Sequence, residues 1–124
     1  MLTANPEPYC EFFDFIIIGD AENIDTSIID VIKANKHLPK SEVLKMVADI
    51  KGIYVPSLTE YDETKGVTKK GGELLCIEKF SAPLSKCIST PVLSEKSFFA
   101  NTFVIEIVRG CPQRCGFCLA SYLN

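Results

Sequence analysis

The sequence lacks the features that mark membrane-spanning, exported and nucleic-acid-binding chains. Its longest apolar run, residues 12–18, is broken by Asp14 and is far shorter than the roughly 20 residues that a membrane-spanning helix needs. No cationic stretch opens the chain, so no signal peptide is predicted. Lysine and arginine are scattered and the formal net charge is −3, which gives no signal for nucleic-acid binding. A cytoplasmic protein without a membrane partner is therefore expected.

Histidine is scarce, whereas cysteine is not. The one histidine, His37, is expected to be a helix-end cation or a surface residue rather than a metal ligand. Because no export signal precedes them, the six cysteines are interpreted as thiols or metal ligands and not as a disulfide framework. Cys10, Cys76 and Cys87 are isolated and are expected to be small buried hydrophobic residues or inert thiols. The other three lie together near the C-terminal end.

The first half of the chain predicts α/β structure. Residues 15–19 form a short apolar, β-branched run that ends in glycine, as in a buried strand of a parallel sheet. A helix is predicted over residues 22–36 and a second one over residues 41–50. The apolar stripes expected to face the core are Ile24, Ile28, Ile29, Val31 and Ile32 in the first helix, and Val43, Val47 and Ile50 in the second.

The middle of the chain predicts a small β-hairpin. Residues 53–55 form a short strand that Pro56 ends, and residues 74–80 are expected to pair back with it. Between them, residues 59–72 are polar and glycine-rich and predict an exposed turn that includes Lys69 and Lys70.

Composition divides the chain into three parts. Residues 1–80 form the α/β unit with its hairpin, and residues 81–100, which contain two prolines and many serines, are predicted to be a linker. Residues 101–124 begin with a strand over residues 103–108, in which Glu106 faces either a barrel interior or solvent. Since one strand cannot form a sheet that buries both its faces, the chain is expected to be incomplete at both ends.

Three cysteines, Cys111, Cys115 and Cys118, follow the last strand in the pattern C-x3-C-x2-C. Thiolates hold iron–sulfur clusters because sulfur is soft and spreads the charge of a redox-active metal. Three close ligands leave one iron of a four-iron cluster without a protein ligand, and an open position is how metals commonly meet substrates. A zinc site would need a fourth ligand from elsewhere in the chain or from a partner.

Residues 103–122 resemble the start of the radical S-adenosylmethionine (SAM) barrel. The resemblance consists of an apolar strand, Arg109-Gly110, and the loop C-x3-C-x-F-C. It implies that Cys111, Cys115 and Cys118 bind a [4Fe–4S] cluster whose open iron is chelated by SAM, and that Phe117 packs near the SAM adenine. In such enzymes the reduced cluster cleaves SAM and gives a 5′-deoxyadenosyl radical.

A weaker resemblance covers the N-terminal part. Residues 5–8 and 13–22 look like the end of the cobalamin-binding-like, Rossmann-like domain that precedes the barrel in many radical SAM proteins. Cobalamin binders of that family carry Asp-x-His-x-x-Gly, whereas His37 lies in Lys-His-Leu-Pro. The resemblance therefore implies a partial cobalamin-binding-like unit, and cobalamin is not supported as a cofactor.

Together these patterns predict a fragment of a radical SAM oxidoreductase. The parent protein is expected to be an enzyme and the chain by itself to be inactive, with self-association through its exposed last strand. Two alternatives stay open: a non-catalytic structural or interaction domain, and half of a zinc site that a partner completes. The substrate is not encoded in these residues.

Overall fold

The computed structural model describes residues 2–22, 24–82 and 88–123. Two compact units are present, Met1–Ala82 and Pro83–Asn124. Each is described by itself. Within the described residues, no helix has both the length and the apolar character needed to cross a bilayer.

Two packed helices form one side of the N-terminal unit, close to where the sequence predicts them. Helix α1 spans Ile24–Ala34 and helix α2 spans Lys40–Ala48. Ile24 and Ile28 are one helical turn apart and are both buried. In α2 the buried residues are Leu44 and Val47. The predicted stripes are too wide, because Ile29 and Ile32 of α1 are exposed.

The first sheet has two short antiparallel strands. Strand β1 is Ile16–Ile17 and β2 is Ile53–Tyr54, with Ile16 opposite Tyr54. The expected parallel pairing is therefore wrong for these two strands. An apolar run indicates burial on both faces, but it does not specify the direction of the neighbouring strand.

A second neighbour extends this sheet beyond β1. The amide of Phe80 donates to the carbonyl of Ile18 at 2.9 Å, and the amide of Asp20 donates to the carbonyl of Phe80 at 2.9 Å, as a parallel bridge. Gly19 has φ +116°, and a Cβ placed there would lie 2.0 Å from the carbonyl oxygen of Phe80. Only glycine allows the chain to pass so close.

A β-hairpin occupies the region that the sequence predicts to be an exposed turn. Strand β3 is Thr59–Asp62 and β4 is Gly66–Lys69, paired antiparallel. At the tip, the Asp62 carboxylate accepts hydrogen bonds from the amides of Thr64 and Lys65, both at 2.8 Å. Hydrogen bonds from Thr64, and then from Lys65, lower the pKa of Asp62. The predicted strand over residues 74–80 is reduced to single bridges at Leu74 and Phe80.

A polar network ties the start of the chain to this core. The buried Tyr54 hydroxyl donates to the carboxylate of Glu7, which lies in a 3-10 turn. The same Tyr54 hydroxyl lies 3.0 Å from the Thr59 hydroxyl. The Cys10 thiol lies 3.7 Å from the Tyr54 hydroxyl. Burial raises the pKa of Tyr54 far above its ordinary value, and the hydrogen bond to Glu7 adds to this shift.

The C-terminal unit has little regular structure. Ser89 and Ile105 form an antiparallel bridge, and the amide of Glu106 donates to the carbonyl of Ile88 at 2.8 Å. Residues 103–108 therefore pair only briefly, with a segment that the sequence predicts to be part of the linker. A short helix, α3, follows the cysteines at Ala120–Leu123.

Candidate functional site

The three clustered cysteines lie on one irregular loop between the Ile105 bridge and α3. Cys111 and Cys118 are half-buried, Cys115 is exposed, and all three thiols are free. The amide of Cys118 donates to the carbonyl of Cys115 at 3.0 Å, so the last two cysteines share a tight turn. Arg114 adopts φ +46°, which reverses the chain just before Cys115. The loop thus presents three available thiols within a short length of chain.

An ion pair fixes the entrance to this loop. The guanidinium of Arg109 donates from Nε to one oxygen of Glu106 at 2.8 Å and from an Nη to the other at 2.7 Å. Both side chains are mostly buried, and two parallel charge-assisted bonds define a single orientation. The Glu106 carboxylate is thus directed to Arg109, an orientation that the sequence alone left open. The available signal was the i, i+3 spacing of opposite charges.

The exit of the loop is held from α3. The Tyr122 hydroxyl donates to the carbonyl of Arg114 at 3.4 Å, and the Tyr122 amide donates to the carbonyl of Leu119 at 3.0 Å. The loop between Arg109 and Leu119 is therefore anchored at both ends while its thiols remain accessible.

A cavity of about 420 Å³ opens beside Cys111. Its walls include the side chains of Arg109, Arg114 and Ser121. The Ser121 hydroxyl is buried and has no hydrogen-bond partner among the described residues. A buried hydroxyl without a partner is costly, so this wall is suited to a ligand that supplies an acceptor.

The donor set of the loop fits a thiolate-ligated metal in its chemistry. Three free thiols on one loop are ligands of the kind that iron–sulfur clusters take. Across the described residues, however, no three such side chains are already gathered around one point. Ligand loops of this kind gain their final geometry when the metal binds, because metal binding and folding are coupled. Cys111, Cys115 and Cys118 therefore stay predicted ligands.

Phe117 is 93% exposed, next to the third cysteine. Among the described residues of the C-terminal unit, no other aromatic ring packs on it. Its predicted contact with the SAM adenine stays a prediction, and the structure leaves its ring accessible for that role.

The remaining cysteines and the histidine lie in unlike settings. Cys10 is half-buried, and burial raises the pKa of its thiol, with Tyr54 acting in the opposite direction through a hydrogen bond. Cys76 is exposed, and so is His37. Cys87 lies outside the described residues.

Comparisons with known proteins agree with the resemblance drawn from the sequence. The family described as "Radical SAM proteins, N-terminal" matches residues 1–56. This match confirms the resemblance of the N-terminal part of the chain to radical SAM proteins. The matched part lies upstream of the cysteine loop, which is thus an independent feature of the same chain.

One curated relative is an uncharacterized protein of Methanocaldococcus jannaschii. It is 33% identical over 113 residues, which is 91% of this chain and 20% of that protein. The chain therefore spans about a fifth of the relative's length, and the similarity extends well past residue 56. No solved structure matches the chain.

Proposed function

Since residues 1–56 match the N-terminal part of radical SAM proteins, we propose that this chain is the N-terminal portion of a radical SAM iron–sulfur enzyme. The observation that carries the proposal is the loop with three free thiols in C-x3-C-x2-C spacing. It lies on the same chain as the matched segment. The family match supports the relationship, and the thiols supply the chemistry.

Cys111, Cys115 and Cys118 are the residues that would hold a [4Fe–4S] cluster in the whole protein. When bound, the cluster supplies the electron that cleaves SAM to methionine and a 5′-deoxyadenosyl radical. The work of this chain is to present the three thiolates from an anchored loop. The Glu106–Arg109 pair sets where that loop begins.

The fold details extend the same proposal. Residues 1–80 would be a partial cobalamin-binding-like, Rossmann-like unit, residues 81–100 a connection, and residues 101–124 the first strand and loop of a barrel. The strand segment supports this, because both of its alternate faces carry exposed apolar side chains: Phe103 and Ile107 on one face, and Val104 and Val108 beside Glu106 on the other. A barrel strand is covered on both faces. Cobalamin is not proposed, and the location of the whole protein is expected to be the cytoplasm.

Anaerobic reconstitution tests the proposal in the full-length natural protein. Iron and sulfide should give about four iron and four sulfide per chain, together with the visible absorption of a [4Fe–4S] cluster. Cys111→Ala, Cys115→Ala or Cys118→Ala should abolish that absorption. The matched control is Cys76→Ala, an exposed thiol outside the loop, which should leave the metal content unchanged.

Three results would contradict the proposal. Full iron and sulfide in the triple alanine variant would show that other residues are the ligands. Zinc at one equivalent per two chains or per complex, with no iron-linked absorption, would support the half-zinc-site alternative instead. Absence of any metal from the full-length protein would leave a structural or interaction domain.

The isolated 124-residue chain is expected to form no 5′-deoxyadenosine.

Phe117 provides a prediction that separates cofactor packing from loop folding. Because its ring is exposed here, Phe117→Ala should leave the cluster content of the full-length protein near normal. Loss of an aromatic contact to the adenine should weaken SAM binding by about tenfold, which corresponds to about 1.4 kcal/mol. Equilibrium dialysis with labelled SAM measures this. Loss of the cluster together with SAM binding would mean that Phe117 holds the loop itself.

A further inference from the structure

A second cavity lies in the N-terminal unit, with no cysteine of the loop near it in sequence. Its volume is about 600 Å³, within the range of roughly 300–1,000 Å³ typical of small-molecule sites. The end of α2, strand β2, the hairpin strands β3 and β4, and residues 75–78 form its walls.

The floor of this cavity is aliphatic. Ile53 and Val55 are buried core residues, and Ile50 and Leu58 pack against the same cluster. Residues that line the cavity, as far as the structure describes them, include no aromatic ring on which a nucleobase could stack. A branched or linear alkyl group therefore suits the floor better than a base. The aliphatic lining residues are Ala48, Ile50, Ile53, Val55, Leu58, Leu75 and Ile77.

The rim, in contrast, is cationic. Four lysines line the cavity, against the carboxylates of Asp49 and Glu78. Two of these lysines, Lys45 and Lys70, form no side-chain hydrogen bond or ion pair with the described part of the chain. They come from different elements, α2 and the end of the hairpin, so their positive charges border one opening from two sides.

The other two lysines are held only weakly. Lys51 pairs with Glu78 at 2.8 Å and Lys69 pairs with Glu73 at 3.0 Å. In both ion pairs the lysine and the glutamate side chains are more than half exposed, and ion pairs in water are weak. An anion that carries two charges could therefore attract all four ammonium groups without breaking a strong interaction.

We propose that this cavity binds a small amphiphilic dianion of the alkyl phosphate class. The phosphate would lie among the lysines of the rim, and the alkyl chain would cover the aliphatic floor. This site belongs to the N-terminal unit and does not depend on the cysteine loop or on SAM.

Titration of the 124-residue chain with octyl phosphate, below its micelle concentration, tests the site. Chemical shifts of backbone amides in residues 45–58 should move saturably. Inorganic phosphate and octanol, which each present half of the ligand, should bind at least tenfold more weakly. Equal binding of inorganic phosphate would overturn the aliphatic part of the proposal, and equal binding of octanol the anionic part.

A matched pair of variants separates a built site from general electrostatics. Lys45→Gln with Lys70→Gln removes two rim charges, whereas Lys33→Gln with Lys65→Gln removes two charges outside the cavity. The rim variant should raise the dissociation constant at least tenfold and the control variant less than twofold. Equal losses would show non-specific attraction and overturn the proposal, as would unchanged binding in the rim variant.

Cys76 adds an independent readout, because it is an exposed free thiol in the wall of this cavity. Bound octyl phosphate should slow its alkylation by iodoacetamide at least threefold, while Cys115, exposed in the other unit, reacts at the same rate. An alkylation rate at Cys76 that octyl phosphate does not change would overturn the assignment. Vesicles containing phosphatidic acid distinguish the source of the phosphate: binding to vesicles without binding of monomeric octyl phosphate would indicate a membrane surface and reject a small-molecule site.

Discussion

The N-terminal unit buries a core of apolar residues, whereas the described part of the C-terminal unit buries none. Every apolar side chain that is buried in the described part of the chain belongs to the unit that ends at Ala82. In the other unit, Phe98 and Ile107 are 95% and 90% exposed. A unit that buries its apolar residues can fold from its own contacts, whereas exposed large apolar side chains indicate a surface meant to be covered. Under the proposed function, the remaining barrel would provide that cover.

The largest effect on this contrast is expected from Gly19→Ala. A Cβ at Gly19 would lie 2.0 Å from the Phe80 carbonyl oxygen, at a φ that other residues avoid. We expect a loss of about 3 kcal/mol in the free energy of unfolding of the N-terminal unit. Urea denaturation followed by circular dichroism measures it.

Gly66→Ala is the control for this substitution. Gly66 also has a positive φ, but nothing lies within 4 Å of the position of its missing Cβ. Only the backbone cost remains, about 1 kcal/mol. Equal losses for the two variants would mean that Phe80 does not pass beside Gly19.

A smaller effect is expected from a cavity in the core. Val47 is 0% exposed between the two helices and β2, so Val47→Ala should cost about 2 kcal/mol. Ile107→Ala removes more atoms from a side chain that is 90% exposed and should change stability by less than about 0.5 kcal/mol. Thermal unfolding compares the two. A large loss for Ile107→Ala would reveal a core in the C-terminal unit and break the contrast between the units.

The smallest effect concerns the polar network at Tyr54. Tyr54→Phe removes hydrogen bonds to Glu7 and Thr59 and should cost about 1 kcal/mol near neutral pH. Because the pKa of Tyr54 is raised in the folded state, its contribution is complete below its ordinary value of about 10 and declines as the pH rises above it. Stability above pH 10 should therefore fall more steeply in the original chain than in Tyr54→Phe.

An exposed tyrosine provides the matched control. Tyr61→Phe, in β3, should keep the steep decline of the original chain above pH 10. If Tyr61→Phe and Tyr54→Phe behave alike, the buried network is not the source of the pH dependence.

Local pattern was enough to predict the helices, because burial at helical spacing and charge at each end are properties of the segment itself. Pairing partners were harder. The hairpin was missed because β3 is mostly exposed, so Glu60 and Tyr61 give no apolar alternation. The available sequence signal lies at its tip, which begins at Asp62 and ends at Gly66, both residues that favour turns. Gly66 adopts φ +79° there.

The candidate site divides in the same way. Cys111, Cys115 and Cys118 could be predicted as ligands from their spacing and flanking residues, because all three lie in one short loop. The orientation of Glu106 toward Arg109 and the buried hydroxyl of Ser121 depend on how the loop turns. Such features arise from backbone geometry at residues like Arg114, whose positive φ no residue pattern specified.

The bridge between Gly19 and Phe80 also bears on the order in which the N-terminal unit folds. Thr59 pairs with Lys69 within one short hairpin, whereas the Asp20 amide donates to the carbonyl of Phe80, which lies beyond both helices in sequence. Contacts between distant residues close a long loop and form slowly, so the hairpin should form first and the Phe80 pairing last. During synthesis, the unit therefore cannot complete its sheet until Phe80 has left the ribosome.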